Sequence, residues 1–360
     1  MISKNFYESL EELSYERGLA IEDVLKKVEI AISVAAKNSG YTGDIKVEWD
    51  FDKKKIRVFE YKYVVSEIDP EGPKGQILLE EALEIKPKIK VGQEFRTEIN
   101  LSTFSRKAAS IFKQSLLGGL KELEREEQYN FFIEKVGDVV TAKIVDYSNG
   151  FVAFNIGKNV IANMPDKEGL PGEEFIPGEE KKVYITKVEK TTKGPKVFLT
   201  RTSREFVKRL FELEIPEVAD GSIEIMGISR DPGDRTKIGV LSLKENLDPK
   251  GACVGQGGLR IKKINDILNG EKIDIFTWKE EPVELIAEAL LPAKSLGVIA
   301  DEKKKEATVI VPDDQYSLAI GKKGQNARLA AYAIGWKIDI KNLTTAEEEG
   351  IEFEYNVGRK

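Results

Sequence analysis

The residues most able to do chemistry are glycines in two short runs. Val254-Gly255-Gln256-Gly257-Gly258 leads into a helical stretch, Leu259 to Leu268, and Ile320-Gly321-Lys322-Lys323-Gly324 leads into another, Gln325 to Ile334. Two glycines three apart let the chain turn sharply and bring bare backbone against a ligand. A helix starting there points its unpaired N–H groups and the positive end of its dipole at that ligand. Both features suit a phosphate chain. One Gly-x-x-Gly is a common helix-helix turn. Here the spacing recurs 66 residues apart, and each copy is followed by a Lys-Ile-Asp-Ile strand, the two strands 65 apart, which marks a tandem duplication. Cations flank both copies: Lys322, Lys323 and Arg328 at the second, Arg260, Lys262 and Lys263 after the first. On a helix Lys262 and Lys263 diverge by about 100°, so a single strand meets one of them, and Lys263 is the candidate. The candidate contacts are thus Gly255, Gln256, Gly257, Gly258, Arg260 and Lys263, with Gly321, Lys322, Lys323, Gly324 and Arg328.

The elements that must position these loops repeat as well. A helix carrying Phe206, Leu210 and Leu213 stops at Pro216. Strands Ile223 to Ser229 and Lys237 to Leu243 then flank Asp231-Pro232-Gly233-Asp234, a tight turn in which Pro presets φ and Gly supplies a positive one. The second unit has a helix over 282–291 and strands over 295–299 and 307–311. Each unit reads helix, two strands, helix, Gly-x-x-Gly, helix, strand. This resembles KH domains of type II, whose Gly-x-x-Gly loop clamps about four single-stranded nucleotides. The link between the units is short, so both should present one continuous surface.

Upstream, Val139 to Tyr147, Phe151 to Ile156, Val160 to Asn163, Lys181 to Val188 and Lys196 to Thr200 read as five short strands separated by Gly and Pro. That suggests a small OB-type barrel. Bases stack on exposed aromatics in such barrels, which makes Phe151, with Lys143 and Lys187, the candidate contacts. Phe151 and Phe154 differ by three and face opposite sides of one strand, so one of them belongs to the core.

The first 132 residues read as two helices with Phe6, Leu10, Leu13 and then Leu25, Val28, Ile32, Ala35 on their buried faces. A hairpin follows, with Ile45, Val47, Trp49 and Phe51 alternating before the turn Asp52-Lys53-Lys54-Lys55. Phe95, Thr97 and Ile99 mark another strand, and a long helix runs from about Ser102 to Phe132. Gly118-Gly119 should weaken its middle, and its charged end, 121–127, reads as a solvated spacer.

The 360-residue chain holds one cysteine and no histidine. That excludes a disulfide framework, His-ligated metals and every Ser-His or Cys-His catalytic arrangement. Cys253, beside the first loop, lacks a base and reads as packing. No Walker or dinucleotide glycine fingerprint occurs, so neither enzymatic activity nor a cofactor is expected. No apolar run reaches the ~18 residues of a membrane helix, and the start, Met1 to Glu8, lacks an apolar signal core. A cytoplasmic protein without membrane contact is expected. Net charge is −6, and residues 201–281 carry 14 basic against 15 acidic side chains, 282–343 nine against eight. Nucleic-acid contact must therefore come from placed local charges.

Taken together these are a multidomain α+β chain: a mixed N-terminal α+β domain (1–132), an OB-type, S1-like β-barrel (133–200), two tandem type II KH domains (201–281 and 282–343), and an acidic tail (344–360). This order resembles the NusA family of bacterial transcription factors. The segments Arg230 to Ile238, Asp248 to Gly255, Ala319 to Ala330 and Phe211 to Ala219 carry the resemblance. It implies an N-terminal domain docked on core RNA polymerase, and a barrel and KH domains holding emerging single-stranded RNA. It also implies effects on pausing, intrinsic termination and antitermination, further antitermination factors as partners, and a monomer. Two departures stand out. The first loop has Gln256-Gly257 where the family has a basic residue at the second position, and the acidic C-terminal repeats of some members are missing. A rival, the KH–S1 tail of a phosphorolytic exoribonuclease, has the opposite order and one KH domain.

Overall fold

A computed structural model describes residues 4–51 and 54–357. Met1 to Ser3, the turn residues Asp52 and Lys53, and the last three residues of the expected tail lie outside the described residues. The chain divides into two compact units, residues 1–131 with 192–195, and 132–191 with 196–360.

In the first unit, helices α1 (Lys4–Arg17) and α2 (Ile21–Asn38) precede strands β1 (Asp44–Asp50), β2 (Lys55–Val65) and β3 (Gln76–Leu78), helix α3 (Leu79–Ile85), strand β4 (Glu94–Glu98) and helix α4 (Arg106–Ile133). Helix α2 buries Val24, Leu25, Val28, Ala31, Ile32, Ala35 and Ala36. The hairpin forms as expected, with Val47 opposite Val58, but Phe51 falls past the strand end and is exposed. The short β3 and α3 have no counterpart in the sequence reading. The long helix starts at Arg106 rather than Ser102. Asn100 caps a 3-10 turn over Leu101–Thr103, and the Ser105 hydroxyl then accepts from the Ala108 N–H, which sets the helix start. Gly118-Gly119 does not interrupt it. A Cβ on Gly119 would lie 3.0 Å from the Lys27 side chain, so the missing side chain lets α2 and α4 approach. Nor is the charged end a free spacer: Glu122 pairs with Lys27 at 2.6 Å, Glu124 with Arg17 at 2.5 Å, and Leu120 is buried.

Five strands follow α4: β5 (Val139–Ser148), β6 (Phe151–Asn155), β7 (Ile161–Pro165), β8 (Glu180–Thr191) and β9 (Gly194–Thr200). They pair in the order β7-β6-β5-β8-β9, a nearly closed barrel-like sheet, with a bulge between Ile144 and Asp146 that bends β5. Inward alternation puts Ala142, Ile144, Val152, Phe154, Ala162, Met164, Val183 and Ile185 in its core.

The repeats follow. The first comprises α5 (Arg204–Glu214), α6 (Pro216–Ala219), β10 (Ile223–Asp231), β11 (Arg235–Ser242), α7 (Pro249–Val254), α8 (Leu259–Ile267) and β12 (Lys272–Thr277). The second comprises α9 (Pro282–Leu290), β13 (Gly297–Asp301), β14 (Glu306–Val311), α10 (Tyr316–Ile320), α11 (Gln325–Ile334) and β15 (Lys337–Asn342), followed by α12 (Leu343–Glu348). In each sheet the first two strands are antiparallel and the third is parallel to the second, as type II KH topology requires. The registers coincide: Arg235 faces Lys272 as Glu306 faces Lys337.

Ion pairs and close packing bind these modules. Arg201, at the end of the barrel, chelates Glu173 and reaches the Ile267 carbonyl of the first repeat at 2.8 Å. Arg230 and Glu271 pair at 2.8 Å, nearly fully buried. Phe276 of the first repeat sits in the core of the second. Between the repeats, Lys237 is 1% exposed and donates to the Leu291 carbonyl at 2.8 Å, with the Asp274 carboxylate 3.7 Å away. Burial pushes its ammonium down to about 8, against the opposing pull of Asp274. Between that value and the ordinary lysine range the folded chain binds fewer protons than the unfolded one, so stability rises with pH there and is lost as pH falls through about 8. Urea unfolding from pH 7 to 10.5 should show a gain of up to about 3 kcal/mol that is absent from Lys237→Met; identical slopes for both proteins would contradict it.

The described part of the expected acidic tail is not loose chain. It forms α12, whose Ala346 is buried, and the Asn356 side chain then hydrogen-bonds Val298.

Candidate nucleic-acid interface

The two Gly-x-x-Gly loops have matching backbones. Gly255 and Gly321 lie at φ/ψ 74/170 and 76/172, and Gly258 and Gly324 at 74/13 and 76/15. All four are left-handed at φ, where a Cβ costs energy. Between them, Gly257 at φ 61 corresponds to Lys323 at φ 54. A lysine in that conformation costs on the order of 1 kcal/mol, and strain of this kind collects at functional sites. Each loop opens a helix whose first N–H groups face the turn.

Around these backbones the side chains differ. Lys322 and Lys323 are exposed and have no ion-pair partner among the described residues. Arg328 does not reach freely toward the loop. Its guanidinium pairs with Asp231 at 2.6 Å, and Gln325 donates to Asp231 and Asp234 at 2.9 and 2.8 Å. The Asp-Pro-Gly-Asp turn of the first repeat thus clasps the helix that follows the second loop.

At the first loop, Gln256 and Gly257 carry no charge, and the two candidate cations, Arg260 and Lys263, are engaged, while Lys262 is exposed. Arg260 donates to Glu217 and to the Ala252 carbonyl, at 2.8 and 2.7 Å, and its stem lies across Gly255. In the repeat it stands where Asn326 stands. Asn326 is buried and likewise hydrogen-bonds back, to the Ala319 and Leu290 carbonyls. This position braces the loop in both repeats, and sequence reasoning recognised neither brace, because only the structure shows the backward reach. Lys263 pairs with Glu214 at 2.5 Å. Cys253 is fully buried, and burial pushes its thiol up to about 12, as fits a packing residue.

On the barrel, Phe151 is 48% exposed and Phe154 fully buried, which settles which of the two faces out. Lys143 is exposed directly across from Asn155. Cross-strand neighbours share a face, so Lys143 shares that of Phe151, two pleats along β6. Tyr147, also half-exposed, is held by a hydrogen bond to Asp166 that raises its phenol. Lys187 pairs with Glu189 at 2.6 Å. Lys322, Lys323 and Lys143 are therefore the uncommitted cations of the set, while Arg260, Lys263, Arg328 and Lys187 are already paired. No group of three or more acidic or cysteine side chains placed to hold a metal occurs among the described residues.

Comparison with known proteins places these elements. Residues 5–126 match the NusA N-terminal domain, 201–278 the NusA-like first KH domain and 282–348 the NusA-like second KH domain. The transcription termination/antitermination protein NusA of Bacillus subtilis is 43% identical over 97% of this chain and 94% of its own. That of Halalkalibacterium halodurans is 42% identical over 97% and 91%, and that of Thermus thermophilus 36% over 96% and 92%. Among solved structures, the N-terminal domain of NusA from B. subtilis covers 34% of this chain and 98% of its own at 29% identity, with a TM-score of 0.26. With this identity across nearly the whole length, the chain belongs to the NusA family.

Proposed function

We propose that this protein is an RNA-binding transcription elongation factor that docks on core RNA polymerase through residues 1–132. Residues 133–200, 201–281 and 282–343 hold nascent single-stranded RNA, and the result is altered pausing, intrinsic termination and antitermination. The relatives' shared name, transcription termination/antitermination protein, supports the process. The observation that carries the RNA half is the pair of matching glycine loops in tandem, the second bearing two exposed lysines with no ion-pair partner among the described residues. Such loops hold backbone rather than read bases. The protein acts as a monomer in the cytoplasm, without catalysis of its own, alongside other antitermination factors. No helix among the described residues is long and apolar enough to cross a membrane.

Halted elongation complexes assembled from core polymerase should be retarded in a gel by the full chain and should terminate at a shifted efficiency when released. Fragment 1–132 alone should bind core polymerase. If 133–360 binds it and 1–132 does not, the roles of the two halves are inverted.

A further inference from the structure

The repeat makes one more surface legible. In the first repeat the outer face of the sheet is occupied by the second. Gly227, paired with Gly239, lies so close beneath α11 that a Cβ would stand 2.1 Å from the Ala333 carbonyl oxygen. Counting four residues along from Arg235 and Glu306, which hold equivalent registers, Gly239 corresponds to Ile310 and Gly227 to Gly297. In the second repeat the equivalent Gly297 is covered too. A Cβ there would stand 2.5 Å from the Glu354 carbonyl oxygen and 2.6 Å from the Phe353 ring. The chain's own last described segment occupies on the second sheet the place that the second repeat occupies on the first.

That segment also covers an edge. β13 ends the order β13-β14-β15, and an edge strand presents unpaired backbone groups to any extended chain. At Val298 both are taken by one side chain: the N–H donates to Asn356 Oδ1 at 2.9 Å, and the carbonyl accepts from Asn356 Nδ2 at 3.0 Å. The carboxamide stands in for a neighbouring peptide group. Val357 packs on the core beneath, while Glu352, Glu354 and Tyr355 are exposed. Among the described residues the hold is thus one amide, one ring, one aliphatic contact and the Glu354 backbone against Gly297, few enough to exchange.

We propose that the β13 edge and the glycine face of the second KH sheet form a peptide-docking surface whose resident occupant is the chain's own segment Ile351–Val357. A partner protein engages it by presenting an extended segment with an aromatic residue three before a carboxamide. Strand addition of this kind draws affinity from main-chain groups and specificity from alternate side chains. The face is acidic and apolar, with Asp301, Glu306, Asp339 and half-exposed Ile299 beside Lys337, which favours protein over RNA.

The test uses the chain ended at Gly350 and a labelled synthetic peptide of residues 349–357. The shortened chain should bind the peptide saturably. The full chain should bind it at least tenfold more weakly, because its own segment competes at high effective concentration. Asn356→Ala in the peptide should weaken binding about tenfold, the worth of one or two hydrogen bonds. A folded shortened chain that ignores the peptide, equal binding by both chains, or release of the peptide by single-stranded RNA would overturn the proposal. Should the shortened chain not fold, Asn356→Ala in the full chain provides the readout: amide exchange at Val298 should accelerate at least tenfold while Val309 keeps its protection. Unchanged exchange at Val298 would equally overturn it.

Discussion

Replacing Lys322 and Lys323 together by Asp should weaken single-stranded RNA binding on the order of 30-fold near physiological salt, whereas Asp at Gln256 and Gly257 should cost only a few-fold. Each neutralised phosphate on a single strand contributes about −0.7 to the slope of log K against log salt. Two lysines lost are therefore worth roughly tenfold at ~0.15 M salt, and reversing their charge adds repulsion. The asymmetry rests on what the cations already hold. Lys322 and Lys323 have no ion-pair partner among the described residues, while Arg260 and Lys263 are tied to Glu217 and Glu214. The conservative pair Lys322→Gln and Lys323→Gln should flatten the salt slope by about 1 to 1.5. Some binding should survive, because the left-handed glycines and the helix start remain. The measurement is a titration of the full chain with single-stranded RNA at several salt concentrations. Equal losses from the two loops would sink the argument, as would an unchanged slope for the glutamine variant.

Much of this architecture could be read before any coordinates. The repeat was legible because glycine spacing and strand alternation are periodic signals, and period survives in sequence. The barrel was legible for the same reason, and its topology follows once five short strands alternate. What the sequence does not display is commitment. Arg328, Arg260, Lys263 and Lys187 look like any exposed cation until their carboxylate partners, 97, 43, 49 and 2 residues away, are placed beside them. The same holds at Lys237, a lysine in an otherwise ordinary strand that becomes a buried strut only when the second repeat closes over it. Charge runs mislead in the opposite direction. Residues 121–127 read as solvated and 344–360 as an acidic tail, yet Leu120 and Ala346, beside their charged runs, are buried. Local composition records the exposed side of such a segment and says nothing of the side that docks.

The buried arginine at the barrel's end carries the largest stability effect we expect. Arg201 and Glu173 are each 1% exposed at the side chain. Its Nε and Nη2 grip both oxygens of Glu173 at 2.7 Å, Nη1 donates to the Lys182 carbonyl, and Nη2 also reaches Ile267 at 2.8 Å. Barrel and first repeat are thus joined by one planar fork. Arg201→Ala would leave a buried carboxylate with Lys181 at 3.3 Å and the Leu170 N–H at 3.4 Å as its partners among the described residues, and would strip the guanidinium from two carbonyls, at a cost of about 3–5 kcal/mol. Arg201→Lys keeps the charge but not the fork, and a single ammonium cannot meet three acceptors in different directions. It should lose most of the same energy, which separates geometry from charge. Replacing Arg201 and Glu173 together by Met removes both buried charges and should recover much of the loss. The observable is urea unfolding followed by Trp278 and Trp336, both in the second unit, with Trp49 as the control in the first. Because the fork fixes the barrel against the first KH domain, the double Met variant should fold yet bind RNA spanning both modules less tightly than the parent chain. A lysine variant as stable as the parent would show that charge alone, without the bidentate fork, holds this joint.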